Sequence, residues 1–207
     1  MVHYNLVYFD IRGLGETARQ LFTLADVEFE DHRLTTEEFL KLKPTLPSGH
    51  VPILYVDGFE ISQSAAIWRY LARKFGFAGK TPEEEALADS IIDHFKDFQL
   101  VFHQYGSRLF MGKSQDELDS MRNEIVQPAV KSYFSVLKKY LEKSSSGYLV
   151  GSSLTYADIA VAENLTTLKN TEFFKPAEEK TLASFHQKIN GTPKLREYLA
   201  KRTFSTL

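Results

Sequence analysis

Cysteine is absent from the 207 residues, which removes structural disulfides, thiolate metal sites, cysteine nucleophiles and CxxC redox chemistry together. Any sulfur chemistry must then use a thiol that a ligand brings in. The six histidines, His3, His32, His50, His94, His103 and His186, never fall three to five apart, so no compact histidine zinc motif is available and no metal is expected. Hydroxyls, carboxylates, amines and backbone groups are left to do chemistry. Tyr8 is a phenol near the end of an apolar run. A free thiol titrates near 8.5, so only about 3% is thiolate at pH 7. A phenol O–H donated to the thiolate contributes about 1.5–3 kcal/mol, which lowers the thiol pKa by roughly one to two units. Gln63-Ser64 stands where a helix begins, and free N–H groups and dipole there suit a carboxylate. Val51-Pro52 is a buried X-Pro at a bend and a candidate cis bond. In that geometry the Val51 N–H and C=O point outward, where an extended peptide can pair with them. Thr155-x-x-Asp158 is a capping box with Asp in place of Glu, flanked by Leu154 and Ile159 as a staple, and is assigned to folding.

The elements that must hold these groups are legible from periodicity. Tyr4–Phe9 is aromatic or aliphatic apart from Asn5 and reads as a buried strand, in which Tyr4 shares a face with Tyr8 as core packing. Gly13 and Gly15 permit a sharp turn, and Glu16–Ala25 carries the helical spacing Ala18, Leu21, Phe22, Ala25. A short strand is expected over 27–33, then a helix capped by Thr35 with Glu38 reciprocating and Phe39, Leu40 and Leu42 on its apolar side. Residues 51–56, the pair Asp57-Gly58 and residues 59–61 read as a hairpin, because Asp-Gly favours positive backbone angles. A helix over 62–75 follows, with Ser62 or Ser64 as its cap.

Beyond the glycine and proline cluster at 76–82 the strand signals stop, which marks a domain boundary. Leu87, Ile91, Phe95, Phe98, Phe102 and Leu109 make one long amphipathic helix starting near Pro82. A second over 115–141 should kink at Pro128. Further helices are expected over Tyr156–Asn170, 177–189 and Pro193–Lys201.

Composition bounds the function classes. Hydrophobic residues at 43%, with 13% aromatic and 25% charged, can bury a core and argue against disorder. Lys+Arg 25 against Asp+Glu 27 leaves net charge -2, with no basic block for nucleic acid. No stretch reaches the roughly 18 apolar residues of a membrane span, and residues 1–12 lack a cleavable apolar run, so a cytoplasmic location is the default.

An α/β first half with proline opening its third strand, followed by an all-helical half, resembles the cytosolic glutathione transferases. Tyr8, the run Gly49-His50-Val51-Pro52-Ile53-Leu54, Gln63-Ser64 and Leu154-Thr155-Tyr156-Ala157-Asp158 fall where that family has its landmarks. The likeness spans the whole chain and is nearest to the sigma class, which includes nematode-type enzymes and the vertebrate glutathione-dependent prostaglandin D synthase.

The resemblance implies an α/β plus all-α fold, with a thioredoxin-like glutathione-binding domain over 1–79 and an all-helical domain over 80–207 lining the electrophile pocket. It implies a homodimer with glutathione as co-substrate and no metal. Tyr8 would be catalytic. Glutathione would be held by Tyr8, Phe39, Lys43, Gly49, His50, Val51, Pro52, Gln63 and Ser64, and by Asp97 reaching across to the partner subunit's ligand. Gly13, Leu14, Gln99, His103, Tyr156 and Leu199 would wall the electrophile pocket. The function implied is conjugation of glutathione to small hydrophobic electrophiles, a detoxification role. A carrier of heme or another planar apolar ligand and a glutathione-dependent prostaglandin isomerase are the alternatives. Leu14 stands where the prostaglandin-synthase relatives carry arginine, Phe39 where many relatives carry tryptophan, and Lys96 and Gln104 replace an acidic and an aromatic residue. Those changes weaken the prostaglandin reading.

Overall fold

The apolar run Tyr4–Phe9 becomes β1, an inner strand of a four-stranded sheet, in the computed structural model, which describes residues 2–46 and 48–207. Strand order is β2-β1-β3-β4, where β2 is Glu30–Leu34, β3 is Ile53–Val56 and β4 is Phe59–Ser62. β1 runs parallel to β2 and antiparallel to β3, and β3 pairs antiparallel with β4. The β3–β4 connection is the expected two-residue turn: Asp57 and Gly58 take φ 49° and 86°, the pair of positive values that matches the twist of a tight hairpin.

α1 (Glu16–Ala25) lies against α3 (Ser64–Phe75) and against α9 (Pro193–Lys201). Leu6, Leu21, Phe22, Ile53, Leu54, Ile67, Trp68 and Leu71 are buried there, each large aliphatic or aromatic side chain contributing about 1.5–3 kcal/mol. Tyr4 is core, its ring edge-on to Phe22 at 5.2 Å and to Phe75 at 6.0 Å. α2 (Thr36–Leu42) starts at the predicted cap: Thr35 Oγ1 accepts the Glu38 N–H at 3.2 Å while Glu38 Oε2 accepts the Thr35 N–H at 2.7 Å.

The chain divides into two units, residues 1–78 with 189–207 and residues 79–188. The first is thioredoxin-like and the second helical. The first boundary lies one residue before the expected one, but α9 and the residues after it belong with the first unit. Periodicity finds the helix and is silent about which core its apolar face joins.

In the second unit α4 (Pro82–Phe110) runs as one helix, its start capped by Thr81 Oγ1 accepting the Glu84 N–H. Ile91, Phe95, Phe98 and Phe102 are buried as their spacing predicts, while Leu87 is exposed. Phe98 stacks on Tyr133 with centroids 4.6 Å apart and planes 1° apart. The segment expected as one kinked helix over 115–141 is α5 (Gln115–Met121), a π-helical turn over Arg122–Val126, and α6 (Gln127–Lys143). The irregularity lies before Pro128, since proline cannot donate to the preceding turn and the ladder widens there instead. α7 is Tyr156–Asn170, as expected, and α8 is Lys180–Asn190, starting later than expected and crossing from one unit to the other.

Asp158 in the first turn of α7 carries the predicted capping box and more. Its carboxylate accepts the Thr155 N–H and Oγ1, each at 2.8 Å, and also the Leu149 N–H at 2.7 Å. Burial pushes its pKa up to about 6 against these donors. Asp158→Ala leaves three donors unpaired in the interior, at about 1–3 kcal/mol each before relaxation. Urea denaturation at pH 7 should show a loss of about 3 kcal/mol; a loss under about 1 kcal/mol would mean that the box is dispensable.

Candidate active site

β1 carries Tyr8 past its pairing with β3. Val7↔Ile53 is the last β1–β3 pair, and Tyr8 pairs with Arg33 of β2 alone. The ring then lies along the 3-10 turn Gly13–Gly15. A Cβ at Gly15 would sit 2.6 Å from Tyr8 Cδ1, and one at Gly13 would sit 2.5 Å from the hydroxyl. Both glycines are therefore needed for room as well as for the turn. Between them the Leu14 N–H donates to Tyr8 Oη at 3.1 Å.

Tyr8 is 7% exposed. Burial pushes its phenol pKa up, and the Leu14 N–H and the Arg19 guanidinium pull only partly the other way. The phenol therefore keeps its proton at neutral pH. One lone pair is engaged by Leu14, so the hydroxyl is set up as a donor. The Leu14 side chain carries no donor where the prostaglandin-synthase relatives carry arginine; its backbone N–H is a separate donor, aimed at the Tyr8 oxygen.

A buried ionic cluster supports the turn. Arg19 is 1% exposed, and donates to Asp31 at 3.0 Å, to Glu16 at 3.2 Å and to the carbonyls of Ile11 and Phe9 at 2.8 and 3.3 Å. Its guanidinium carbon lies 5.9 Å from the Tyr8 ring centroid. Glu16, also 1% exposed, accepts from Arg202 at 2.6 Å and from the Tyr198 hydroxyl at 2.9 Å. Burial pushes the Glu16 carboxyl up, but Arg202, Arg19 and Tyr198 together hold it below its ordinary value. The sequence reading did not select Arg12, Glu16, Arg19 or Arg202. The i,i+3 spacing of Glu16 and Arg19 at the start of α1 was the one available signal.

The peptide-binding residues expected in the first unit fall along α2 and the loops that follow it. Phe39 is half-buried, edge-on to Phe9 at 4.9 Å, with Lys43 Nζ 5.9 Å from its centroid. Lys43 is exposed and its stem crosses Gly49, where a Cβ would be 3.7 Å from Lys43 Cε. Gly49 takes φ 65°. His50 is exposed and its Nδ1 lies 2.5 Å from the Ser48 carbonyl, so the ring folds back on its own loop. The Val51-Pro52 bond is cis, and Ile53 follows directly into β3.

The cap of α3 is neither serine. Gln63 is the N-cap, with φ 72° and ψ 116° and no side-chain capping bond. Its side chain is exposed, and Ser64 is the first helical residue. Neither serine hydroxyl caps the first turn because the chain enters α3 through this left-handed residue. Such a conformation costs a non-glycine residue about 1–3 kcal/mol and clusters at functional sites.

The other expected residues lie elsewhere. Asp97 is exposed on α4, in the second unit. Gln99, on the same helix, is half-buried with Oε1 unpartnered among the described residues. His103 is exposed, its Nδ1 3.4 Å from Ser107 Oγ. Tyr156, expected in the pocket wall, is a core residue here: it is 1% exposed and its hydroxyl donates to Asp89. Leu14 and Gly13 belong to the Tyr8 turn, and Leu199 is half-buried on α9.

Residues 4–73 match the glutathione S-transferase N-terminal domain and residues 100–202 the C-terminal domain of the same family. Glutathione S-transferase 3 of Caenorhabditis elegans is 56% identical over 202 residues, which is 98% of each chain. The chain belongs to the glutathione S-transferase family. This transferase is an enzyme that takes glutathione as co-substrate, as its curated relatives do. Among solved structures, the Nu-class glutathione S-transferase of Haemonchus contortus is 42% identical over the whole of both chains, with a TM-score of 0.88. Prostaglandin synthase D of Nilaparvata lugens is 30% identical, with a TM-score of 0.86, covering 98% of this transferase and 100% of that chain. Among the described residues of the transferase, no helix is long and apolar enough to cross a membrane.

Proposed function

We propose that the transferase stabilises the thiolate of glutathione with the Tyr8 hydroxyl and transfers it to small hydrophobic electrophiles, as a sigma-class cytoplasmic homodimer with a detoxification role. The observation that carries the mechanism is the Tyr8 hydroxyl itself, protonated by burial and already accepting the Leu14 N–H. Its remaining polar capacity is a proton to donate, and an anionic sulfur is the acceptor that gains most from it.

The rest of the tripeptide has matching groups in the same unit. The Val51 backbone beside cis Pro52 offers an N–H and a C=O to an extended cysteinyl backbone. Gln63 and Ser64 at the start of α3 offer backbone N–H groups to the γ-glutamyl carboxylate. Lys43, drawn across Gly49, offers a cation to the glycyl carboxylate, with Phe39 beneath it and His50 on the same loop. Asp97 is proposed to meet the ligand amine of the partner subunit.

Titrating bound glutathione by thiolate absorbance tests the reading. The bound thiol should titrate about one to two units below the free value near 8.5. A bound thiol titrating at the free value would overturn it. A glutathione-dependent prostaglandin isomerase is the second reading, favoured by the likeness to prostaglandin synthase D. Turnover of a prostaglandin endoperoxide faster than of a chloronitrobenzene would put it first.

A further inference from the structure

We propose that residues 202–207 form a latch that positions the Tyr8 hydroxyl, acting through Arg12 and Glu16 on the turn that supplies the Leu14 N–H. The inference rests on Tyr8 as thiolate stabiliser and extends it to how that hydroxyl is held.

The Leu14 N–H must stay 3.1 Å from Tyr8 Oη, and it sits between two glycines, which have no side chain to anchor the turn. The fixed points are at the ends of that turn. On one side is Arg12, only 3% exposed. Its Nε donates to the Ser205 carbonyl at 3.0 Å, its Nη2 to the Thr206 carbonyl at 2.9 Å and its backbone N–H to the Leu207 carbonyl at 3.2 Å. On the other side is Glu16, whose N–H donates to the Arg12 carbonyl at 3.0 Å and whose Oε1 accepts from Arg202 and Tyr198. Both ends of the turn are thus tied to the chain after α9, Arg12 through residues 205–207 and Glu16 through Arg202, with Tyr198 of α9 adding a second bond to Glu16.

The ties are polar. Phe204, the large apolar residue of the segment, is 79% exposed and contributes little burial. A buried guanidinium must be satisfied, and carbonyls of the segment satisfy Arg12. If the segment lifts, Arg12 rehydrates and the Gly13–Gly15 turn loses its anchor. The Leu14 N–H then no longer polarises the phenol, and the O–H becomes a weaker donor to sulfur. Tyr8 stays in place, so glutathione still binds, but its thiol ionises less.

Two variants of the full enzyme test this: Arg202→Gln, and a chain shortened to end at Thr203, which keeps Arg202 on Glu16 but removes the carbonyls that hold Arg12. Circular dichroism reports folding, and the shortened chain decides if Arg202→Gln does not fold. The bound thiol pKa should rise by about half to one unit and kcat near pH 6.5 fall about three- to tenfold, with KM for glutathione within about twofold. Arg202→Lys should recover most of the loss. The same changes placed in Tyr8→Phe should raise the thiol pKa no further, because the latch acts only through that hydroxyl. An unchanged thiol pKa in the shortened chain, or an equal rise in the Tyr8→Phe background, would overturn the latch. Failure of Tyr8→Phe alone to move the thiol pKa would instead overturn the proposed mechanism.

Discussion

Tyr8→Phe should cut glutathione conjugation about ten- to hundredfold while leaving KM for glutathione within about twofold, because one charge-assisted hydrogen bond contributes about 1.5–3 kcal/mol. The substitution removes a single oxygen and keeps the ring, so the packing of Gly13 and Gly15 against it survives. The peptide contacts proposed for Val51, Gln63, Ser64 and Lys43 do not involve that oxygen. The loss should therefore fall on kcat and appear in the pH profile: the rising limb of kcat should move toward higher pH by about one to two units. Raising the pH should recover part of the rate, because free thiolate then forms without help. A variant with unchanged kcat and an unmoved limb would remove Tyr8 from the chemistry.

The second large effect concerns a residue with no functional group. Gly15→Ala places a Cβ 2.6 Å from Tyr8 Cδ1, 2.8 Å from Cγ and 3.1 Å from Cβ. Those atoms lie at the root of the ring, so no side-chain rotation at its far end relieves the overlap. Either β1 or the start of α1 must shift, at about 1–3 kcal/mol for an overpacked core. Gly15 has an ordinary helical φ of -80°, so backbone strain adds nothing and the effect is purely one of space. Displacing the ring also moves its hydroxyl off the Leu14 N–H. We expect a urea midpoint lowered in line with about 1–3 kcal/mol and conjugation reduced about tenfold or more. Gly15→Ala in a Tyr8→Ala background should recover most of the stability penalty, since the two contacts under 3.0 Å, to Cδ1 and Cγ, are then gone and only the one to Cβ at 3.1 Å remains. Full activity in Gly15→Ala would show that the ring tolerates displacement.

Local pattern was enough wherever a signal was carried by near neighbours. A nearly continuous apolar run and two glycines defined β1 and the break after it, Asp57-Gly58 defined the hairpin turn, and Thr35/Glu38 and Thr155/Asp158 defined two helix starts. The cysteine count alone required that any thiol come from outside. Local pattern placed Tyr8 at a strand end, Pro52 at a bend and Ser64 at a helix start, but it was the family resemblance that gave them their roles; alone, Tyr8 reads as a core aromatic and Ser64 as a cap.

What distant residues do to one another was not legible in that way. The apolar Leu14 side chain gave no hint that its backbone N–H is aimed at the Tyr8 oxygen, because only the fold aims it. The α3 cap passed to Gln63 because the hairpin sets the angle at which the chain enters the helix, overriding the preference for serine. Nothing local marked Arg12 or Glu16, whose partners Ser205 and Arg202 stand nearly two hundred positions later. Tyr156 has the right type for a pocket wall, but its partner Asp89 lies on another helix and takes it into the core. A chain order specifies torsions and short-range bonds, whereas burial, which turns a charge into an anchor and a phenol into a lasting donor, exists only once separate segments have packed.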